Sequence, residues 1–238
     1  MEFNNIKMKN GTIITIDSLV KKFPIGGGFF TALEDINLEF GKGEFTGLVG
    51  PSGSGKTTML NIIGSLDNPS AGDVNILGTS ISKINAKEAS LLRKKSIGFI
   101  FQTYNLMPVY TVFENVEFPL LLLKMSTQER KKAVMDALEW VGLTDKYKSR
   151  PKQLSGGESQ RVAIARAMVK KPVIVLADEP TANLDAENSH NILQTMETLN
   201  RDMDTTFLFA THDDKVIKYL RRIIRLEDGK VKKDDKVK

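Results

Sequence analysis

Apolar side chains first recur in strand-like runs and then switch to a helical period. Residues 13–23 and 33–40 are rich in β-branched and apolar side chains. Gly26, Gly27 and Gly28 lie between them and read as a turn, because no helical pattern follows. Residues 45–49 form a short apolar strand, followed by a Gly-rich loop and a helix over about 56–64. Further strands are predicted at 73–77 and 97–101, and strand patterns then stop from 102 to 153. Within that stretch Ser126 and Glu129 make a capping box. Ala133, Val134, Ala137, Leu138 and Val141 follow at helical spacing until Gly142 ends the run. Alternation then resumes, with helices near 155–170, 185–200 and 213–220 and strands at 173–177, 206–210 and 222–226. Strands alternating with helices predict an α/β fold, a parallel sheet covered on both faces. Ligands of such sheets bind at the carboxyl ends of the strands.

Composition narrows the class. The chain has 238 residues, 41% hydrophobic and 26% charged, the balance of a folded globular protein. The net charge of +5 is a small excess spread along the chain, so it reads as a solvated surface and not as a nucleic-acid footprint. Part of it falls in residues 230–238, expected to be a frayed terminus. The absence of cysteine excludes disulfides and thiolate metal sites and fits a reducing compartment. Residues 1–12 lack the apolar stretch of a signal peptide. The longest apolar run, 118–123, is far short of the roughly 20 residues a spanning helix needs. A transport role would therefore require another polypeptide.

The chemistry begins at Gly50-Pro51-Ser52-Gly53-Ser54-Gly55-Lys56-Thr57, a full match to the phosphate-binding loop pattern, placed after a strand and opening a helix. Its glycines let successive N–H groups turn inward, and the helix N-terminus adds partial positive charge. Lys56 supplies a full charge for the β/γ-phosphates of a nucleotide and Thr57 a hydroxyl for Mg²⁺, with Thr58 expected beside them at the nucleotide; nucleotide kinases, GTPases and motors share this loop. A second signal is the apolar strand 173–177 running into Asp178 and Glu179. Adjacent strand residues point opposite ways, so Asp178 is assigned to the metal and Glu179 to the attacking water. A third is Leu154-Ser155-Gly156-Gly157-Glu158-Ser159-Gln160-Arg161. Ser155 and Glu158 form a capping box, and the two glycines expose free N–H groups at a second anion-binding helix start.

This last string resembles the signature motif of ATP-binding cassette (ABC) proteins. Other family marks stand in order: Gln102 resembles the Q-loop glutamine, residues 182–185 the D-loop, and Thr211-His212-Asp213 the switch-histidine segment. Phe23 stands where the family has an aromatic, often Tyr, that stacks on adenine. The resemblance covers about 11–230. It implies a P-loop NTPase (RecA-like) core at 11–101 and 158–230 with an N-terminal antiparallel β subdomain, a helical insert at 102–157 and a charged tail at 231–238. It also implies a head-to-tail homodimer, each Mg·ATP lying between the phosphate loop of one chain and Ser155, Gly156 and Gly157 of the other. In that reading Gln102 contacts Mg²⁺ and water, and His212 contacts the γ-phosphate. Asp185 lines the subunit boundary, and His190 is a surface residue. Departures are small: Phe23 for Tyr, Ala182 for Gly, Thr57 for Ser.

Residues 97–106, 112–119 and 177–181 are similar to the macrolide-export and lipoprotein-release branch (MacB- and LolD-type). That likeness implies an ATPase on the cytoplasmic face of a cell membrane, driving a separate permease. The apolar stretch 104–123, with Leu106, Met107, Val109, Tyr110, Val112 and Phe113, is expected to divide between insert core and a groove for that permease. An uptake system, a cell-division pair and a nucleic-acid-acting ABC protein are the alternatives. No long insert or second phosphate loop supports the last, and no nucleic-acid partner is expected.

Overall fold

The computed structural model describes residues 11–237. The signal-peptide reading of residues 1–12 falls almost wholly outside them. Strands β1 (Thr12–Ile25) and β2 (Gly28–Gly41) pair antiparallel, and the turn between them is Gly26 and Gly27, as the glycine run predicts. With β4 (Ala71–Ile76) and β5 (Thr79–Ser80) they form a four-stranded sheet of order β2-β1-β4-β5. A second sheet is built from β3 (Phe45–Val49), β6 (Ile97–Ile100), β7 (Ile174–Asp178), β8 (Thr206–Thr211), β9 (Arg222–Glu227) and β10 (Lys230–Lys236). Its order is β10-β9-β3-β8-β7-β6, parallel throughout except for β10.

Side chains alternate across the parallel strands and so divide the core in two. Ile174, Leu176, Leu208 and Ala210 pack into one cluster with Ile16, Phe40 and Val74 of the antiparallel sheet, Met59 and Ile62 of α1 (Lys56–Ile63) and Leu92 of α2 (Ala86–Ser96). Their neighbours Val175, Ala177, Phe207 and Phe209 face the other cluster. That one is covered by α3 (Val112–Leu121), α4 (Thr127–Trp140), α5 (Gly156–Met168), α6 (Ala186–Met203) and the short α7 (Asp214–Ile217). Phe45 anchors it, with ring centroids 5.6 Å from Phe207 and 4.7 Å from Phe209. Both faces of the parallel sheet are therefore buried, which is why its strands read as unbroken apolar runs.

Two elements depart from the sequence reading. Helix α2 carries no apolar period; only Leu92 and Ser96 are buried, and it is fixed by a capping box between Asn85 and Glu88. The stretch expected to fray is instead β10, paired to β9 from Lys230↔Glu227 to Lys236↔Arg222. Arg222 secures it by donating to Asp234 at 2.7 Å while also contacting Glu44 at 3.0 Å. The insert is helical, as expected. Asn115, fully buried, holds its first loop by accepting from Met107 N–H and donating to the carbonyls of Met107 and Thr111.

Lys170 follows α5 and donates to the Arg93 carbonyl at 2.6 Å. Burial pushes its amine from 10.5 down to about 8. A lysine whose folded value is depressed costs stability in full below that value, and the cost fades as pH rises toward the unfolded value. Lys170→Met is therefore expected to raise the melting temperature at pH 7, with the gain shrinking as pH rises from about 8 to 10.5. Calorimetric melts across that range check it.

Candidate nucleotide site

Several loops leave the carboxyl ends of the parallel strands and meet in one cavity of about 460 Å³. The first follows β3. Its glycine requirement is clearest at Gly55, the residue before α1, which has φ +98° and where a Cβ would lie 2.7 Å from the Ala32 carbonyl. Lys56 is buried, and its ammonium donates to the carbonyls of Gly50 at 2.7 Å and Pro51 at 2.9 Å. Burial lowers its pKa, against the opposing charges of Glu179 and Asp178. The charge is thus held at the loop by backbone acceptors. Ser54 lies beneath, with its Oγ buried and without a partner among the described residues.

β7 ends at Asp178. Thr57 Oγ1 donates to Asp178 Oδ1 at 3.1 Å, so the hydroxyl from α1 and the carboxylate from β7 already stand together. Burial raises the Asp178 carboxyl; the Thr57 hydrogen bond opposes this, Glu179 adds to it, and Lys56 opposes it. Glu179 follows at φ +45°, a conformation costly for a side chain of its size, and its N–H donates to the Ala210 carbonyl at 2.9 Å. The turn sends the Glu179 carboxylate toward β8. There Thr211 Oγ1 donates to Oε2 at 3.1 Å and His212 Nδ1 lies 2.6 Å from Oε1. The carboxylate is nearly enclosed, 14% exposed, while the imidazole is 61% exposed.

The cavity brings together Phe23, Ser52, Gly53, Gly55, Lys56, Thr57, Thr58, Gln102, Asp178, Glu179 and His212. Gly50 and Pro51 contribute through the carbonyls that hold Lys56. Ser155, Gly156 and Gly157 are not on its wall. They begin α5 with the predicted capping box: Glu158 N–H donates to Ser155 Oγ at 3.1 Å and Ser155 N–H to Glu158 Oε2 at 2.7 Å. The glycine pair also has a packing reason. A Cβ at Gly157 would meet Asn188 Oδ1 at 2.4 Å, and one at Gly156 would meet Tyr104 Oη at 3.1 Å. His190 is exposed, as expected, and contacts Tyr219 Oη.

Other contacts of the neighbourhood, and the residues Phe30, Ala32 and Arg166, were not visible to pattern reading. Phe30 and Ala32 of β2 complete the cavity wall. Gln160 donates to the Pro180 carbonyl at 2.7 Å, tying α5 to the turn after Glu179. Asn183 donates to the Gln102 carbonyl at 2.9 Å. Tyr104 and Asn105, just beyond Gln102, both have positive φ (59° and 49°), and Arg166 of α5 donates to both their carbonyls at 2.6 Å. Backbone carbonyls are present at every residue, so no sequence pattern marks these contacts.

A strand–loop–helix phosphate cradle, a hydroxyl–carboxylate pair and a buried glutamate beside a histidine define an ATPase cassette of the P-loop class. The model of the ABC transporter family matches residues 33–182. The chain is 42% identical over 222 residues to the lipoprotein-releasing system ATP-binding protein LolD of Bacteroides thetaiotaomicron, covering 93% of this chain and all of the relative. It is 41% identical over 230 residues to MJ0796 of Methanocaldococcus jannaschii, an uncharacterized ABC transporter ATP-binding protein, covering 95% and 98% of the two chains. The dimeric post-hydrolysis structure of the MJ0796 cassette bound to ADP and Pi superposes with a TM-score of 0.88 at 40% identity, covering 95% of this chain and 99% of that one. The structure of cbiO1 from Clostridium perfringens, part of the ABC transporter complex cbiONQ, superposes at 0.86 with 28% identity, covering 95% and 89%. The protein belongs to the ABC transporter family, and is its ATP-binding, ATP-hydrolysing component.

Replacing Arg166 by Met removes two charged hydrogen bonds to the backbone beyond Gln102. The expected loss is about 1.5–3 kcal/mol of unfolding free energy, measured by urea denaturation, with ATPase activity falling as Gln102 loses its fixed approach.

Proposed function

We propose that the chain binds Mg·ATP in the cavity between the phosphate loop and Asp178, hydrolyses it as a head-to-tail homodimer, and drives a separate membrane permease of the export or lipoprotein-release kind. The observation that carries this is the division of the two anion sites. Lys56, Asp178, Glu179 and His212 line one cavity, while Ser155–Gly157 lie off its wall. A second chain supplying the second helix start completes the site. The dimeric structures of the MJ0796 cassette support a dimeric assembly.

The geometry supports the following roles. The loop N–H groups and Lys56 bind the β/γ-phosphates. Thr57, Asp178 and Gln102 offer a hydroxyl, a carboxylate and an amide oxygen, hard donors that fit Mg²⁺ and leave positions for phosphate and water. When bound, that ion neutralises charge on the phosphate oxygens. Glu179 positions and deprotonates the attacking water. Thr211 and His212 hold its two carboxylate oxygens, and the exposed imidazole turns to the γ-phosphate.

Partner docking is assigned to the insert. Val112, Val116 and Leu120 are buried in the core, whereas Val109, Tyr110, Phe118, Leu121 and Leu122 are exposed. Beside them Phe99, Phe101, Met107 and Phe118 line a groove of about 300 Å³. No helix among the described residues is long and apolar enough to cross a membrane; in this reading a separate permease carries the load and the chain works at the cytoplasmic face of the membrane. Likeness to LolD at 42% identity supports lipoprotein release over solute uptake as the load.

Lys56→Ala is expected to abolish tight nucleotide binding. Glu179→Gln is expected to bind ATP, accumulate dimers on size-exclusion chromatography and lose about 10²- to 10⁴-fold in turnover; wild-type turnover in that variant would overturn the role of Glu179.

A tagged Glu179→Gln chain carrying Tyr110→Cys, crosslinked in native membranes with ATP, is expected to capture a permease with a large external domain. A many-helix permease with a solute-binding protein would make it an uptake ATPase. No crosslink to any membrane protein from position 110 or its neighbours would remove the docking assignment.

A further inference from the structure

We propose that Phe30 is a second base-stacking residue, and that Phe23 and Phe30 together take the purine by its faces without reading its edge. The inference rests on the ATP reading of the same cavity. Phe23 and Phe30 are direct partners in the β1–β2 ladder. Directly opposed residues of an antiparallel pair point to the same side of the sheet, and both line the cavity that holds Lys56. The ladder continues past them through Pro24↔Phe29 to Ile25↔Gly28, so the rings ride on paired strands close to a two-residue turn and not on a loose loop.

Both rings remain open, Phe23 at 37% and Phe30 at 53% exposed. An exposed pair of phenylalanines facing a phosphate-binding cavity has apolar surface available for an aromatic ligand. Phe23 is backed by a cation: Lys21 Nζ lies 4.9 Å from its ring centroid. That lysine is itself fixed by Asp67 at 2.6 Å and the Asn68 carbonyl at 2.8 Å. The cavity is therefore divided by chemistry. One end is Phe23, Phe30 and Ala32, whose side chains offer no hydrogen-bond donor or acceptor to a base edge; the other end is the phosphate loop with its acids and histidine. Stacking tolerates any base because every base has a π-face, whereas discrimination needs polar groups placed on the edge.

The neighbouring phenylalanine provides an internal control. Phe29 is 70% exposed, points to the opposite side of the strand and does not line the cavity. The test is calorimetric titration of the purified full-length chain with ATP, GTP and tripolyphosphate. Phe30→Ala is expected to weaken ATP and GTP by the same factor, about 5- to 100-fold. Tripolyphosphate, which carries the phosphates alone, should bind Phe30→Ala like the parent chain. Phe30→Trp should retain nucleotide affinity and Phe29→Ala should leave every ligand unchanged. Phe30→Ala binding ATP within twofold of the parent chain would overturn the proposal, as would equal weakening of tripolyphosphate, which would mean a distorted phosphate loop. Lys56→Ala separates the two readings. If it abolishes ATP binding while Phe30→Ala does not, only the role of Phe30 fails; if it leaves ATP binding intact, the cavity is not the nucleotide site and both readings fail.

Discussion

In the central parallel ladders Val49 lies opposite Thr211 and Asp178 opposite Ala210. That register brings three chain segments out of the sheet at nearly one level: the phosphate loop after β3, the acid pair at the end of β7 and the histidine after β8. A slip of one residue in either ladder would turn every side chain of a strand to the wrong face. It cannot occur without driving Phe207 and Phe209 into the core packed around Leu208 and Ala210, and the reverse, where neither set fits. The packing of two apolar layers thus fixes the relative height of Lys56, Asp178 and His212, and the chemistry inherits its geometry from the cores.

The two layers also divide the work of the molecule. The antiparallel sheet lies on one side of the parallel sheet and presents Phe23 and Phe30 to the cavity. The helical insert and α6 lie on the other and present the exposed apolar residues of α3. The cavity and the exposed apolar residues of α3 therefore belong to different faces of one slab, with Gln102, just after β6, on the cavity wall. Three residues beside the cavity, Glu179, Tyr104 and Asn105, hold positive φ. Each is held by specific hydrogen bonds, as strained residues in folded proteins must be.

Much of this was legible from sequence because the chemistry restricts residue type. A loop that curls around phosphate needs glycine at positive φ, an apolar strand ending in two acids is costly without a task, and a capped helix beginning with two glycines is poor helix sequence. What stayed hidden depends on tertiary partners. Helix α2 lacks an apolar stripe because it is covered on a narrow face only, and β10 is a run of charges that pairs through its backbone and through Asp234. Phe30 gains meaning only once the register sets it opposite Phe23. Arg166 and Asn183 act on main-chain carbonyls, which leave no trace in the order of side chains.

The contact of Arg166 with Tyr104 and Asn105 has a mechanical consequence. Its guanidinium is planar and short of freedom, and both of its bonds run from a rigid helix to two adjacent peptide units. Asn183 fastens the carbonyl of Gln102, two residues before Tyr104, from another direction. The segment is gripped from two sides like a rod in a bearing, so α5 cannot tilt against the sheet without pulling on it. A shift in the last turn of α5 would therefore load the backbone just beyond Gln102 through the two Arg166 hydrogen bonds, while Asn183, from the loop after β7, holds Gln102 itself in place.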